Sequence, residues 1–315
     1  MENISLFARH SFASCVSKGY SFLVKQLPLV SRVMLPYYTV ASLFATLFLA
    51  YNTKVNVMVT VNGTASLEDV LVTMALYTFA WVASLLALGR LFLMFRRLSA
   101  MEMSQNKDLS NDNAKREKSK TFRRTVQLAV RSLPYTIWPF LIDMPGFPII
   151  DPFTKYCSGL TVGYQALVAV GCLLAFIVMA VFCTPLVYTF YCRMMKPRGV
   201  VAENDDTVRR LSFKNAYKKA FRCKWKIFCL TLWSGFLCLI ACAILLLPGL
   251  VATEAYLSSV EDSVNYGVEN LIPVGGYVLM VFIGTLALTF CSMIGVAFYS
   301  TQMYLFGDIY TKEEK

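Results

Sequence analysis

The sequence predicts an all-α, polytopic membrane protein with six transmembrane helices, organised as three hairpins that are each preceded by an amphipathic interfacial helix. Three observations predict it. The 315 residues are 57% hydrophobic and only 16% charged, against roughly 25% charged in an ordinary soluble domain. The basic residues gather on one side of the apolar runs when those runs are threaded alternately. A short amphipathic pattern recurs three times, each time just before an odd-numbered run.

The spans follow from length. A hydrocarbon core of roughly 30 Å takes about 20 helical residues. Leu27 to Tyr51 is the first such run; it follows a basic and polar stretch and reads as a retained span rather than a cleaved leader. Val70 to Leu93 is the second, continuing as helix to about Leu98, with Ser66 and Asp69 as a capping box at its start. Leu133 to Ile150 is the irregular third, carrying Pro134, Pro139, Pro145, Pro148 and Asp143. The simpler reading starts this helix before Pro134, kinks it at Pro139 and ends it near Asp143, so that the acid sits in water. The other reading is a broken span lining a cavity. Leu160 to Tyr191 is the fourth, Ile227 to Leu247 the fifth, stopped by Pro248-Gly249, and Ile272 to Leu305 the sixth. The even spans, at more than about 30 residues or roughly 48 Å each, should tilt or project from the bilayer. Between the first two spans, Lys54 to Val61 alternates strictly and meets Asn62-Gly63, which predicts a strand and a hairpin turn.

Charge sets the orientation. Of 30 Lys and Arg, 28 fall on one side, and the other side has only Lys54 and Lys155 among eight acids. The basic side is the cytoplasmic one, with both termini on it, in a bacterial inner membrane. The count holds only if the weak third span crosses. A solvated basic face, not a nucleic-acid interface, accounts for the net charge of +11.

The three amphipathic stretches align without gaps. Ala8, Phe122 and Phe213 correspond, as do Phe12, Val126 and Tyr217, then Cys15, Ala129 and Ala220, then Val16, Val130 and Phe221. The pattern divides one integral domain, 1–315, into pseudo-repeats 4–98, 118–192 and 208–306, with a polar linker at 99–118. Helices of this kind lie in the headgroup plane with their basic face on anionic lipid. The alternative is that they are extensions of the spans packed on one another. The headgroup-facing set is Arg9, Lys18, Arg123, Arg124, Arg131, Lys214, Lys218 and Arg222.

Ser212, Phe213, Ala216, Tyr217, Trp225 and Pro248-Gly249, set in this repeated helix-plus-hairpin pattern, resemble the membrane domain found attached to some glycerophosphodiester phosphodiesterases, one of several bacterial multipass families. The resemblance implies membrane architecture and no catalytic residues. No soluble phosphodiesterase domain accompanies it, so no enzymatic role carries over.

Chemistry-bearing motifs are few. The ten cysteines include no C-x-x-C pair and lie mostly in apolar runs, and His10 is the single histidine, so neither a metal site nor a cofactor is expected. No Walker A, G-x-S-x-G, H-E-x-x-H or G-x-G-x-x-G sequence is present. Apart from Asp143 no acid sits centrally in a span, which argues against ion-coupled transport. Asp143, Pro139 and Arg32 form the one candidate polar site. Small residues such as Ala83, Ala87, Gly171, Gly284 and Gly295 read as helix-packing positions. The expected function is a non-enzymatic scaffold that binds lipid, a protein partner or a second copy; the alternative is a permease or flippase for an amphipathic or small molecule.

Overall fold

A computed structural model describes residues 10–62, 66–103, 114–142, 162–195, 213–266 and 274–311. Among them it contains eight helices and no strand: α1 (Phe12–Lys25), α2 (Leu27–Asn62), α3 (Leu67–Met103), α4 (Ala114–Ile142), α5 (Val162–Met195), α6 (Phe213–Arg222), α7 (Lys224–Tyr266) and α8 (Val274–Thr311). Four are long and apolar enough to cross a membrane, over Leu27–Val55, Leu67–Leu98, Lys224–Tyr256 and Gly275–Ile309.

Local chemistry explains the helix ends. The Ser11 hydroxyl accepts from the Ser14 amide at 3.2 Å and opens α1. The Ser66 hydroxyl accepts from the Asp69 amide at 3.1 Å and donates to the Asp69 carboxylate, so the predicted cap is present at α3. Ser66→Ala should cost about 1 kcal/mol in a thermal or denaturant melt, the usual worth of such a cap. Single-residue turns at Gln26 and Cys223 separate α1 from α2 and α6 from α7.

Three expectations need correction. Lys54 to Val61 is not a strand; it is the last part of α2. A lone strand would leave its amides and carbonyls unpaired, whereas continuing the helix satisfies them internally. Pro248-Gly249 does not stop the fifth run; α7 continues to Tyr266. In apolar surroundings, losing one backbone bond at Pro248 costs less than exposing a whole helix end. The second amphipathic stretch is not a separate helix either, since α4 runs unbroken from Ala114 through Pro134 and Pro139 to Ile142. Parts of the proposed linker are helical as well, in the end of α3 and the start of α4. The segment from Asp143 to Thr161 lies outside the described residues.

The helices pair as antiparallel hairpins. In α2 and α3, Phe44 stacks on Phe79 and Phe48 packs tilted against Tyr77, with ring centroids 5.5 and 5.1 Å apart, and the Tyr51 hydroxyl donates to Asp69 at 2.7 Å. The seam between α7 and α8 has heptad spacing. Gly235 faces Phe298, Cys242 faces Cys291, Gly249 faces Gly284 and Tyr256 faces Tyr277. Steps of seven on one helix match steps of seven in reverse on the other, the geometry of a left-handed coiled-coil seam. At Gly284 a third helix joins: a Cβ there would sit 2.8 Å from the Thr46 methyl of α2. Close approach at such small residues is how apolar helices gain packing when burial supplies no drive between them.

The main core is not at mid-bundle. It lies at the basic end and draws on Ala87–Phe95 of α3, Tyr188–Met195 of α5 and Val296–Ile309 of α8. One aromatic from each meets the others: Phe92 lies 5.2 Å from Tyr191 and 6.3 Å from Tyr299, and the Tyr191 hydroxyl donates to the Tyr299 carbonyl at 2.9 Å. The ends of the long even runs pack together there. Farther along, α7 presents Leu239, Ile244, Leu247, Leu250 and Val251 on its surface, as a helix does when its solvent is lipid.

Candidate functional site: the basic end of the bundle

Each amphipathic segment docks against the basic end of a long helix. α1 lies on α8, the first half of α4 on α3, and α6 on α5. The contact is made by small side chains. Cys15, Ala129 and Ala220, which occupy the same position of the aligned pattern, are all buried. Gly19 and Gly89 mark the closest crossings. A Cβ on Gly19 would come within 2.7 Å of the Thr301 amide nitrogen, and one on Gly89 within 2.5 Å of the Thr125 carbonyl and 2.8 Å of the Ala129 nitrogen.

The predicted apolar face thus splits in two. Its Cys15, Ala129 and Ala220 line packs inward, while Phe12, Phe122, Val130 and Phe213 remain exposed. On α6 the rings of Phe213, Tyr217 and Phe221 form an i, i+4 ladder, 6.2 Å between successive centroids. It is anchored by the Tyr217 hydroxyl, which donates to the Phe182 carbonyl at 3.0 Å. Lys224 caps the ladder 4.1 Å from the Phe221 centroid, and Trp225 beyond it is 62% exposed. Of the predicted headgroup-facing residues, Arg123, Arg124, Lys214, Lys218 and Arg222 are exposed and Arg131 is half-buried. Lys18 turns inward, its Nζ 3.4 Å from His10 Nδ1, and Arg9 lies outside the described residues.

A buried charge cluster joins the two ends of the described chain. Asp308, 1% exposed, pairs with Lys226 at 2.6 Å and accepts from the His10 amide at 2.9 Å. Lys226 also donates to the His10 carbonyl at 3.1 Å, and the His10 ring meets Tyr304 edge-on at 5.5 Å. A buried carboxylate is tolerable when paired and hydrogen-bonded in this way. Next to it, Gln302 accepts from Thr231 and donates to Ser234, both at 3.3 Å. Sequence reasoning missed this cluster, although Asp308 is the only charged residue in α8, a signal that a partner is needed.

The candidate trio falls only partly within the described residues. Arg32 is exposed near the start of α2, Pro139 is inside α4, and Asp143 lies outside the described residues. No group of three or more His, Cys, Asp or Glu able to hold a metal occurs among the described residues. Compared with known proteins, the chain matches no family model, no curated protein and no solved structure.

Proposed function

We propose that the chain is a non-enzymatic multipass membrane protein that acts as a scaffold at the inner leaflet of a bacterial cytoplasmic membrane, held there by anionic lipid. The observation that carries the reading is the outward face of α6 and the start of α7, where Phe213 and Tyr217 of α6 and Trp225 of α7 stand beside Lys214, Lys218 and Arg222. Aromatic rings at headgroup depth with basic groups among them suit an anionic surface. A protein partner or a second copy would use the exposed apolar flank of α7.

The topology in this reading has six crossings. α5 supports it, with no charged residue between Val162 and Cys192 over a helix of 34 residues. The charge segregation supports a crossing by α4. Three units then close into a ring, because each amphipathic segment docks on the long helix of the unit before it and α1 docks on the last. Phe92, Tyr191 and Tyr299 would lie on the ring axis and fill it, which places the permease or flippase reading second.

Triple substitution of Lys214, Lys218 and Arg222 by glutamine tests the surface. At roughly 1 kcal/mol per basic group near an anionic membrane, the preference for phosphatidylglycerol over phosphatidylcholine in the lipid shell should fall at least tenfold. It should also weaken in high salt. An unchanged preference overturns the reading.

A further inference from the structure

Arg90 is the only charged residue of α3 between Asp69 and Arg96. The exposed stripe of that helix runs through Leu71, Ala75, Phe79 and Val82 and passes half-buried Leu86 to reach Arg90. Beyond it, Leu91 to Phe95 are all buried in the core. From Leu71 to Arg90 the helix rises about 28 Å, close to the thickness of a hydrocarbon layer. Arg90 therefore stands where the lipid-facing stripe ends and the phosphate layer begins.

Its guanidinium lies 5.8 Å from the ring centroid of Tyr37, which faces it from α2. Its Nε is buried without a hydrogen bond, and no carboxylate pairs with it among the described residues. The neighbouring charge, Arg97, has the same sign. A half-buried cation with no counter-ion at this depth needs an anion, and the surrounding solvent offers one kind.

We propose that Arg90 and Tyr37 form a seat for one anionic phospholipid of the leaflet at the basic end, with the guanidinium paired to the lipid phosphate. The proposal deepens the lipid reading above by naming one specific site within it. A zwitterionic lipid is disfavoured because its own ammonium already balances its phosphate. The guanidinium donates to the phosphate oxygens in a charge-assisted fork, and the acyl chains run down the α2–α3 seam past exposed Leu43 and Phe79.

The test is native mass spectrometry of the intact chain released from nanodiscs of equimolar phosphatidylglycerol and phosphatidylcholine. The release is made in about 0.5 M ammonium acetate, where exposed charges are screened within a few ångströms. The wild-type chain should retain one phosphatidylglycerol. Arg90→Gln should reduce that lipid-bound fraction about tenfold, as expected for loss of one charge-assisted contact. Tyr37→Leu, which keeps the charge, should reduce it severalfold, and serves if Arg90→Gln does not fold. The Lys214, Lys218 and Arg222 triple variant should keep this lipid, so the site and the surface reading can fail separately. Equal retention of phosphatidylcholine, full retention by both seat variants, or displacement by about 10 mM inorganic phosphate would each overturn the proposal; the last would assign the seat to a soluble anion.

Discussion

Lys226→Met is expected to destabilise the folded chain by about 3 kcal/mol, the lower end of the usual cost of breaking a buried pair. The substitution leaves the buried Asp308 carboxylate without its Lys226 charge partner, while the His10 amide still donates to it. The lower end applies because the Lys226 side chain is 25% exposed and some of its own desolvation is absent. A denaturant titration in detergent micelles measures the loss. The double variant Lys226→Met, Asp308→Leu should recover most of it, because replacing both charges removes the buried carboxylate along with the ion pair. A double variant no more stable than the single one would show that the cluster acts through something other than its charge pair.

Gly89→Val should be similarly severe, at about 2–3 kcal/mol or more, the cost of overpacking a filled interior. Its new Cβ meets the Thr125 carbonyl and the Ala129 nitrogen, which are backbone atoms and cannot rotate away. Relief requires α4 to move off α3, carrying the first half of α4 out of its groove. Gly171→Ala is the matching control. Nothing lies within 4 Å of its added methyl, and alanine favours helix over glycine by up to about 1 kcal/mol. The same melt therefore separates glycines that hold a crossing from one that does not.

The features written in local chemistry were legible. The cap at Ser66 and Asp69 depends on two residues three apart, and the start of α3 follows from them. The length of the even runs foretold long helices, and α3, α5 and α8 run for 37, 34 and 38 residues. The buried position shared by Cys15, Ala129 and Ala220 was visible as one line of the repeated pattern, because a helical face is fixed by spacing alone. What spacing cannot specify is the neighbour. The pattern did not separate lying on lipid from docking on α3, α5 and α8, and the segments do dock, with apolar and basic residues left facing outward.

The misreadings share a physical cause. Alternation at Lys54 to Val61 and the Pro248-Gly249 pair are strong signals in water, where an unpaired backbone can bond to solvent. At Pro248 the apolar setting makes the helix the economical way to satisfy that backbone, and at Lys54 to Val61, where no partner strand is described, extending α2 pairs the backbone internally. The His10, Lys226 and Asp308 cluster was invisible for a different reason. Its members are separated by most of the chain, and no periodicity links them. The Tyr37 ring beside Arg90 became visible once the α2–α3 register was known.

The account stands on six crossings, and Cys157 tests them directly. In intact cells treated with a membrane-impermeant maleimide and analysed by peptide mapping, Cys157 should be modified while Cys183, Cys223 and Cys229 react only after permeabilisation. That outcome places the segment between α4 and α5 on the side opposite the basic end. Labelling of Cys157 only after permeabilisation, together with the other three, would leave α4 and α5 on the basic side and contradict the six-crossing account.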